Sequence, residues 1–211
     1  MQILWHGLSS FEIKAKTPNG DITIVTDPYQ NTTGLRFPRT LSAELLLRTH
    51  DADDANNVGA ITGEPYLIDL AGEFEVKNIF VFGVSAPLKS KEKNLIFVIE
   101  AEGMRIAHLG ALDRALTDEE LQRMNNVDIL MVPVGGGRVM DAKVASEVIS
   151  QVEPRVVIPM THGLPTMKEK LASVDDFCKS LGACRREELS KYKVKRKDLP
   201  EEDMLIVTLN K

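Results

Sequence analysis

The chain holds four histidines, His6, His50, His108 and His162. Each lies at or just past a stretch that reads as a strand, and strand ends are where sites gather in α/β proteins. The segment Thr49-His50-Asp51-Ala52-Asp53-Asp54-Ala55-Asn56-Asn57-Val58 is the densest in chemistry. It sets an imidazole beside the carboxylates of Asp51, Asp53 and Asp54. Imidazole nitrogen suits zinc, and clustered carboxylate oxygens suit Mg²⁺ or Ca²⁺. The same spacing also suits a solvated turn whose aspartates accept hydrogen bonds from backbone N–H groups. Spacing alone leaves both readings open. Gly135-Gly136-Gly137 follows a strand and precedes a helix, the context of a phosphate cradle. It lacks the Lys-Ser/Thr of a P-loop. The stretch Arg185, Arg186, Lys191, Lys193, Lys195, Arg196 and Lys197 is basic, but Glu187 and Glu188 interrupt it and Tyr192 is its sole aromatic ring. Alternating lysines on a late strand protect an edge against aggregation. The expectation is therefore no nucleic-acid contact.

The elements that must position these groups follow from periodicity. Phe11, Ile13 and Ala15 alternate with charged neighbours, and Ile22 and Ile24 continue the pattern beyond a Pro18-Asn19-Gly20-Asp21 hairpin signal. Leu45 to Arg48 reads as a buried strand, with further short strands near 66–70, 73–76, 79–84, 95–100 and 104–108. The second half alternates helix and strand. Thr117 with Glu120 forms a capping box. Asp128–Val134, Arg155–Met160 and Met204–Leu209 read as buried strands, and Lys191–Lys195 alternates. Val144, Val148 and Val152 recur on one face of a helix starting near Asp141. Thr166 with Glu169 suggests a second capping box, leading into a helix stopped by Gly182. The pattern is a layered α/β domain expected to span residues 1–211.

Composition is that of a globular protein: 211 residues, 43% hydrophobic and 27% charged, with a net charge of −5. An acidic balance argues against a general binder of nucleic acid or anionic membrane. The longest apolar runs are strand-length, far short of the ~18–20 residues of a membrane span. The first sixteen residues alternate and show no secretory signal. Cys178 and Cys184 read as reduced thiols of a cytoplasmic protein.

At several of these positions the chain resembles the metallo-β-lactamase superfamily, in particular its small stand-alone bacterial metal-dependent hydrolases. Trp5-His6-Gly7-Leu8-Ser9-Ser10-Phe11 is similar to that group's Trp-x-Gly-His-Ser-Cys-Phe. Thr26-Asp27-Pro28 matches its Ile-Asp-Pro, and Gly72-Glu73-Phe74-Glu75-Val76 its Gly-Glu-Tyr-Glu-Val. His108-Leu109-Gly110-Ala111-Leu112 resembles His-Leu-Gly-Asp-Leu. Val132-Pro133-Val134-Gly135-Gly136 matches directly, and Ile158-Pro159-Met160-Thr161-His162 resembles Ile-Pro-Met-His-Tyr. The resemblance implies an αββα four-layer sandwich with a dinuclear metal site along one edge.

The departures fall on the ligands. Of the family's Thr-His-x-His-x-Asp-His motif, Thr49, His50 and Asp54 stand in register, while Ala52 and Ala55 replace two histidines. Residues 85–94 carry no histidine, Ala111 replaces the bridging aspartate, and Thr161 replaces the last histidine. Methyl groups cannot ligate, and a catalytic zinc needs about three protein ligands and an open position. The expectation is a degenerate metal site in a non-catalytic protein with a binding or assembly role and no cofactor. The alternative is a metal-dependent hydrolase with a single zinc or other divalent ion on His50, Asp54 and His162, acting on a phosphodiester, lactone or amide. It requires the strand after Arg155 to shift by one residue. Asp27 is expected to anchor Thr49 and His50, His108 to be a core histidine and His6 to be structural. The partner is an unidentified ligand or protein, and the family's habit implies a homo-oligomer.

Overall fold

The alternation read at Phe11, Ile13 and Ala15 points one row of side chains inward from a strand, and a second sheet covers that row. In the computed structural model, which describes residues 1–182 and 185–211, the strands are Gln2–Gly7 (β1), Ser10–Thr17 (β2), Gly20–Thr26 (β3), Leu41–Ser42 (β4), Leu45–Leu47 (β5), Ile61–Thr62 (β6), Tyr66–Ile68 (β7) and Gly72–Val76 (β8). There follow Ile79–Ser85 (β9), Leu95–Ala101 (β10), Met104–His108 (β11), Ile129–Pro133 (β12), Val156–Met160 (β13), Arg185–Leu189 (β14), Tyr192–Lys193 (β15) and Leu205–Leu209 (β16). Among the described residues the α-helices are Asp118–Arg123 (α1), Ala142–Val152 (α2) and Val174–Leu181 (α3). Cys184 lies outside the described residues.

β4 and β6 pair with each other as a small separate sheet, and the two large sheets have the orders β15-β1-β2-β3-β5-β7 and β14-β16-β13-β12-β11-β10-β9-β8. A core including Ile3, Phe11, Ile13, Ile24, Leu45, Phe97, Ile99, Met131 and Ile158 fills the space between them. The strands β12, β13 and β16 are buried along their whole length, because helices cover their second face. That second core joins Val98, Leu130, Val132 and Val157 to Met124, Ala145, Val148, Ile149 and Phe177 from the helices. The layered α/β expectation holds. The outer layer over the six-stranded sheet is irregular chain: Tyr29, Leu35, Phe37, Leu41 and Ile61 pack there with Val25 and Leu46, and short 3₁₀ turns at Asn31–Thr33 and Val58–Ala60 shape it.

Local signals held where a side chain had no competing partner. Thr117 and Glu120 make the expected capping box, and Asp141 caps α2 by accepting from the Val144 N–H. Thr166 and Glu169 do not start a helix. The helix begins at Val174 under a box formed by Ser173 and Asp176, and Glu169 instead receives a hydrogen bond from Arg138. Arg185–Leu189 pairs in parallel with β16. In the sequence it is a basic stretch interrupted by Glu187 and Glu188, yet it continues the sheet.

β3 runs parallel to β5, and β11, β12 and β13 run parallel to one another. Their carboxyl ends therefore open on a shared edge, carrying Asp27, Thr49, His108, Gly135 and Thr161. The Leu95 N–H donates to the Thr49 carbonyl at 2.9 Å and so stitches the two sheets at that edge. Phe97 is fully buried in the inter-sheet core. Phe97→Ala is expected to cost about 3–5 kcal/mol and to lower Tm by roughly 6–20 °C in a thermal melt. Tyr66→Ala, on the exposed β7 edge, is expected to stay within about 0.5 kcal/mol of wild type.

Candidate functional site: a charged chain across the sheet edge

The Asp27 carboxylate is fully buried and accepts twice from Thr49: from the backbone N–H at 2.7 Å and from Oγ1 at 2.7 Å. It thus fixes the start of the 49–58 loop, the anchoring role expected for it. The Thr49 hydroxyl spends its single hydrogen on Asp27, so the contact at 2.8 Å between Thr49 Oγ1 and His50 Nδ1 requires Nδ1 to donate. His50 Nε2 lies 3.0 Å from Asp54 Oδ1, and a carboxylate oxygen only accepts. An imidazole with hydrogens on both nitrogens satisfies both contacts at once, and this is the form that Asp54 favours. The other Asp54 oxygen lies 2.7 Å from Arg138 Nη1, and Arg138 Nε donates to Glu169 Oε2 at 2.8 Å. The result is an unbroken polar chain, Asp27–Thr49–His50–Asp54–Arg138–Glu169.

Electrostatics follow the geometry. Burial pulls the His50 pKa down, but the hydrogen bond and charge of Asp54, aided by Asp27, raise it above its ordinary value against the opposing charge of Arg138. Burial pushes Asp54 up, yet the His50 hydrogen bond and the charges of His50 and Arg138 hold it down at about 2. Beside this chain lies a cavity of about 220 Å³ whose walls include Leu8, Ala52, Asp54, Arg138, Met167 and Glu169.

The structure joins His50 to Asp54 and leaves His162 elsewhere. His162 is buried, its ring 4.7 Å from that of Trp5, with Nδ1 3.4 Å from the Gly163 carbonyl. Burial and then the charge of Arg186 lower its pKa. Asp51 and Asp53 point outward, to Asn56 and Thr32 respectively. His108 is a core histidine, 2.8 Å from the Ser9 carbonyl, and His6 contacts Glu12 at 3.3 Å, as expected of both. The glycines after β12 serve packing: a Cβ on Gly135 would stand 2.2 Å from the Thr161 carbonyl. Tyr192 is buried, so its ring is not presented for base stacking.

Arg138 was not singled out by the sequence. Its signal is faint: a cation directly after the glycine run, with an acidic partner thirty-one positions on. The rim also stores backbone strain. Leu8, Asp27 and Thr161 all adopt left-handed conformations, with φ of 53°, 39° and 50°, and strain of this kind collects at functional sites. Nearby, Ser9 Oγ, Ser10 Oγ and Thr161 Oγ1 are buried without a hydrogen-bond partner.

The residues present do not fit the bridged pair of ions that the resemblance implies. Ala55 and Ala111 are buried methyl groups at ligand positions. Both His50 nitrogens and both Asp54 oxygens already have protein partners. Among the described residues no group of three or more His, Cys, Asp or Glu is placed to hold a metal ion.

The pKa directions set the pH response. The Asp54 contribution is present above its ordinary 3.8 and is lost as pH falls toward about 2. The His50 contribution is complete below its ordinary 6.5 and is lost as pH rises through the higher folded value. The Tm advantage of wild type over His50→Gln is therefore expected to be largest between about pH 4 and 6.5, and to shrink in melts taken toward pH 9. A constant difference across that range contradicts the imidazolium assignment.

The beta-lactamase superfamily domain model matches residues 2–161. A UPF0173 metal-dependent hydrolase of Thermoplasma acidophilum is 25% identical over 192 residues, covering 77% of this chain and 83% of the relative. Another, from Archaeoglobus fulgidus, is 23% identical over 218 residues, covering 87% and 91%. A crystal structure from Thermotoga maritima, described as a candidate Zn-dependent hydrolase of the metallo-beta-lactamase superfamily, superposes with a TM-score of 0.81 at 29% identity, covering 99% and 98% of the two chains. These names overturn the expectation that no cofactor is involved: they point to a divalent metal. The sequence argument overreached because missing ligands for two bridged ions do not speak against every ion. With the family model spanning most of its length, the chain belongs to the metallo-β-lactamase superfamily.

Proposed function

We propose that this chain carries the metal-dependent hydrolase scaffold with a degenerate site, and serves a binding or assembly role rather than the chemistry of two bridged ions. The observation that carries this reading is the engagement of both Asp54 oxygens and both His50 nitrogens by protein groups. A dinuclear centre needs a bridging group and ligands on both sides, and Ala111 stands at the bridging position. The strained strand ends, the unpartnered hydroxyls and the small cavity are retained features of a ligand-binding edge. A second reading, a hydrolase with one divalent ion, is favoured by the convergence of His50 and Asp54 at 3.0 Å and by the names of the relatives. Its His162 would have to leave Trp5.

One screen separates the two. Wild type and His50→Ala are assayed on phosphodiester, lactone and amide substrates with added Zn²⁺ or Mn²⁺, and bound metal is counted. The binding reading expects equal rates in the two proteins. Metal-dependent turnover that His50→Ala abolishes removes it: one ion per chain then supports the second reading, and two ions per chain remove both.

A further inference from the structure

In a fold whose relatives are named for a metal, the buried Asp54 carboxylate here faces a guanidinium. We propose that Arg138 is the built-in cation of this edge: it neutralises Asp54 from the side away from His50, and a divalent ion reaches the His50–Asp54 pair only by displacing it. This goes beyond the binding reading, because it assigns the site's charge balance to a residue that the family motif does not contain.

Three observations carry it. First, the seat is specific. Arg138 Nη1 is 2.7 Å from Asp54 Oδ2 while Nε donates to Glu169 Oε2 at 2.8 Å, so one planar group bridges two carboxylates through two of its nitrogens. Secondly, the charge is needed. Asp54 is buried, and a buried carboxylate without compensating charge is costly. His50 Nε2 faces one oxygen at 3.0 Å and Arg138 Nη1 the other at 2.7 Å, so each oxygen already has a protein group where an ion would approach the pair. Thirdly, the residue comes from the right place. Arg138 follows Gly135-Gly136-Gly137, whose Gly136 and Gly137 adopt φ of +71° and +67°. The Val139 N–H donates to the Gly136 carbonyl at 3.3 Å and the Gly136 N–H to the Met140 carbonyl at 2.9 Å, a closed turn that throws the Arg138 side chain toward the 49–58 loop. Glu169 belongs to the segment where a helix start is expected and absent, so its carboxylate is available to the guanidinium rather than to a cap.

The test is titration with Zn²⁺ alone by calorimetry at neutral pH, using wild type, Arg138→Gln, Arg138→Lys and the double variant His50→Ala/Arg138→Gln, each checked for folding by circular dichroism. Arg138→Gln removes the competing charge and is expected to bind Zn²⁺ at least tenfold more tightly than wild type, with the gain lost in the double variant. Arg138→Lys keeps a charge but cannot fork between Asp54 and Glu169, and is expected to fall between the two. It decides the matter should Arg138→Gln fail to fold. Wild-type affinity in the folded variants, or a gain that survives loss of His50, overturns the proposal. That outcome leaves the binding reading intact, since that reading fails on wild-type turnover instead.

Discussion

A carboxylate buried at the junction of three loops must be compensated, and Asp54 is that carboxylate. Its neighbours meet the requirement from within the protein. A protonated imidazole takes one oxygen and a guanidinium the other, and each cation is in turn held by a further acceptor. The cost of desolvating such ions is several kcal/mol each, and their attraction repays it only when every remaining donor and acceptor is satisfied. The buried links from Asp27 to Asp54 are each partnered within the chain, while Arg138 and Glu169 are partly exposed at its outer end. Because its members come from the end of β3, the loop after β5, the loop after β12 and the 163–172 segment, the same contacts that neutralise Asp54 also fix four stretches of irregular backbone against one another.

Those stretches meet where they do because of strand direction. Parallel pairing of β3 with β5 and of β11, β12 and β13 puts every carboxyl end on one edge. The edge is tight enough to force unusual backbone. Thr161, a β-branched residue, is held in the left-handed region with φ of 50°, and its carbonyl fills the space that a side chain at position 135 would need. Its amide donates to the Leu8 carbonyl at 3.1 Å, which ties it to another left-handed residue. Strain of about 1–3 kcal/mol per such residue persists only where packing overdetermines it. The Thr161 kink also directs the next residue: His162 turns to Trp5 rather than to His50.

The fold was legible because its signals are local and uncontested. Alternation at Phe11, Ile13 and Ala15, the continuous apolar runs of β12 and β13, and the caps at Thr117 and Asp141 need no distant partner to be read. The failures share a cause. Thr166 and Glu169 have the spacing of a capping box, but Glu169 meets Arg138 from thirty-one residues away, and tertiary charge pairing outcompetes a cap worth about 1 kcal/mol. Arg185–Leu189 lacks an apolar run, and its pairing with β16 is invisible until the sheet exists. At the site, His50 and Asp54 could be found from a motif. Arg138 could not, since the glycines before it are shared with the family scaffold and the arginine is ordinary until the loop closes.

An arginine and a metal ion solve the same electrostatic problem in different ways. A guanidinium spreads one positive charge over a plane and offers only donors, so it can balance a carboxylate and orient it but cannot polarise a water into a nucleophile as a bound divalent ion does. It also arrives covalently attached, so its ordering entropy is met in folding rather than in binding. At this edge the guanidinium is held between Asp54 and Glu169 by groups of the chain itself. The buried hydroxyls of Ser9, Ser10 and Thr161 are the polar groups at this sheet edge with hydrogen-bonding capacity still to spend.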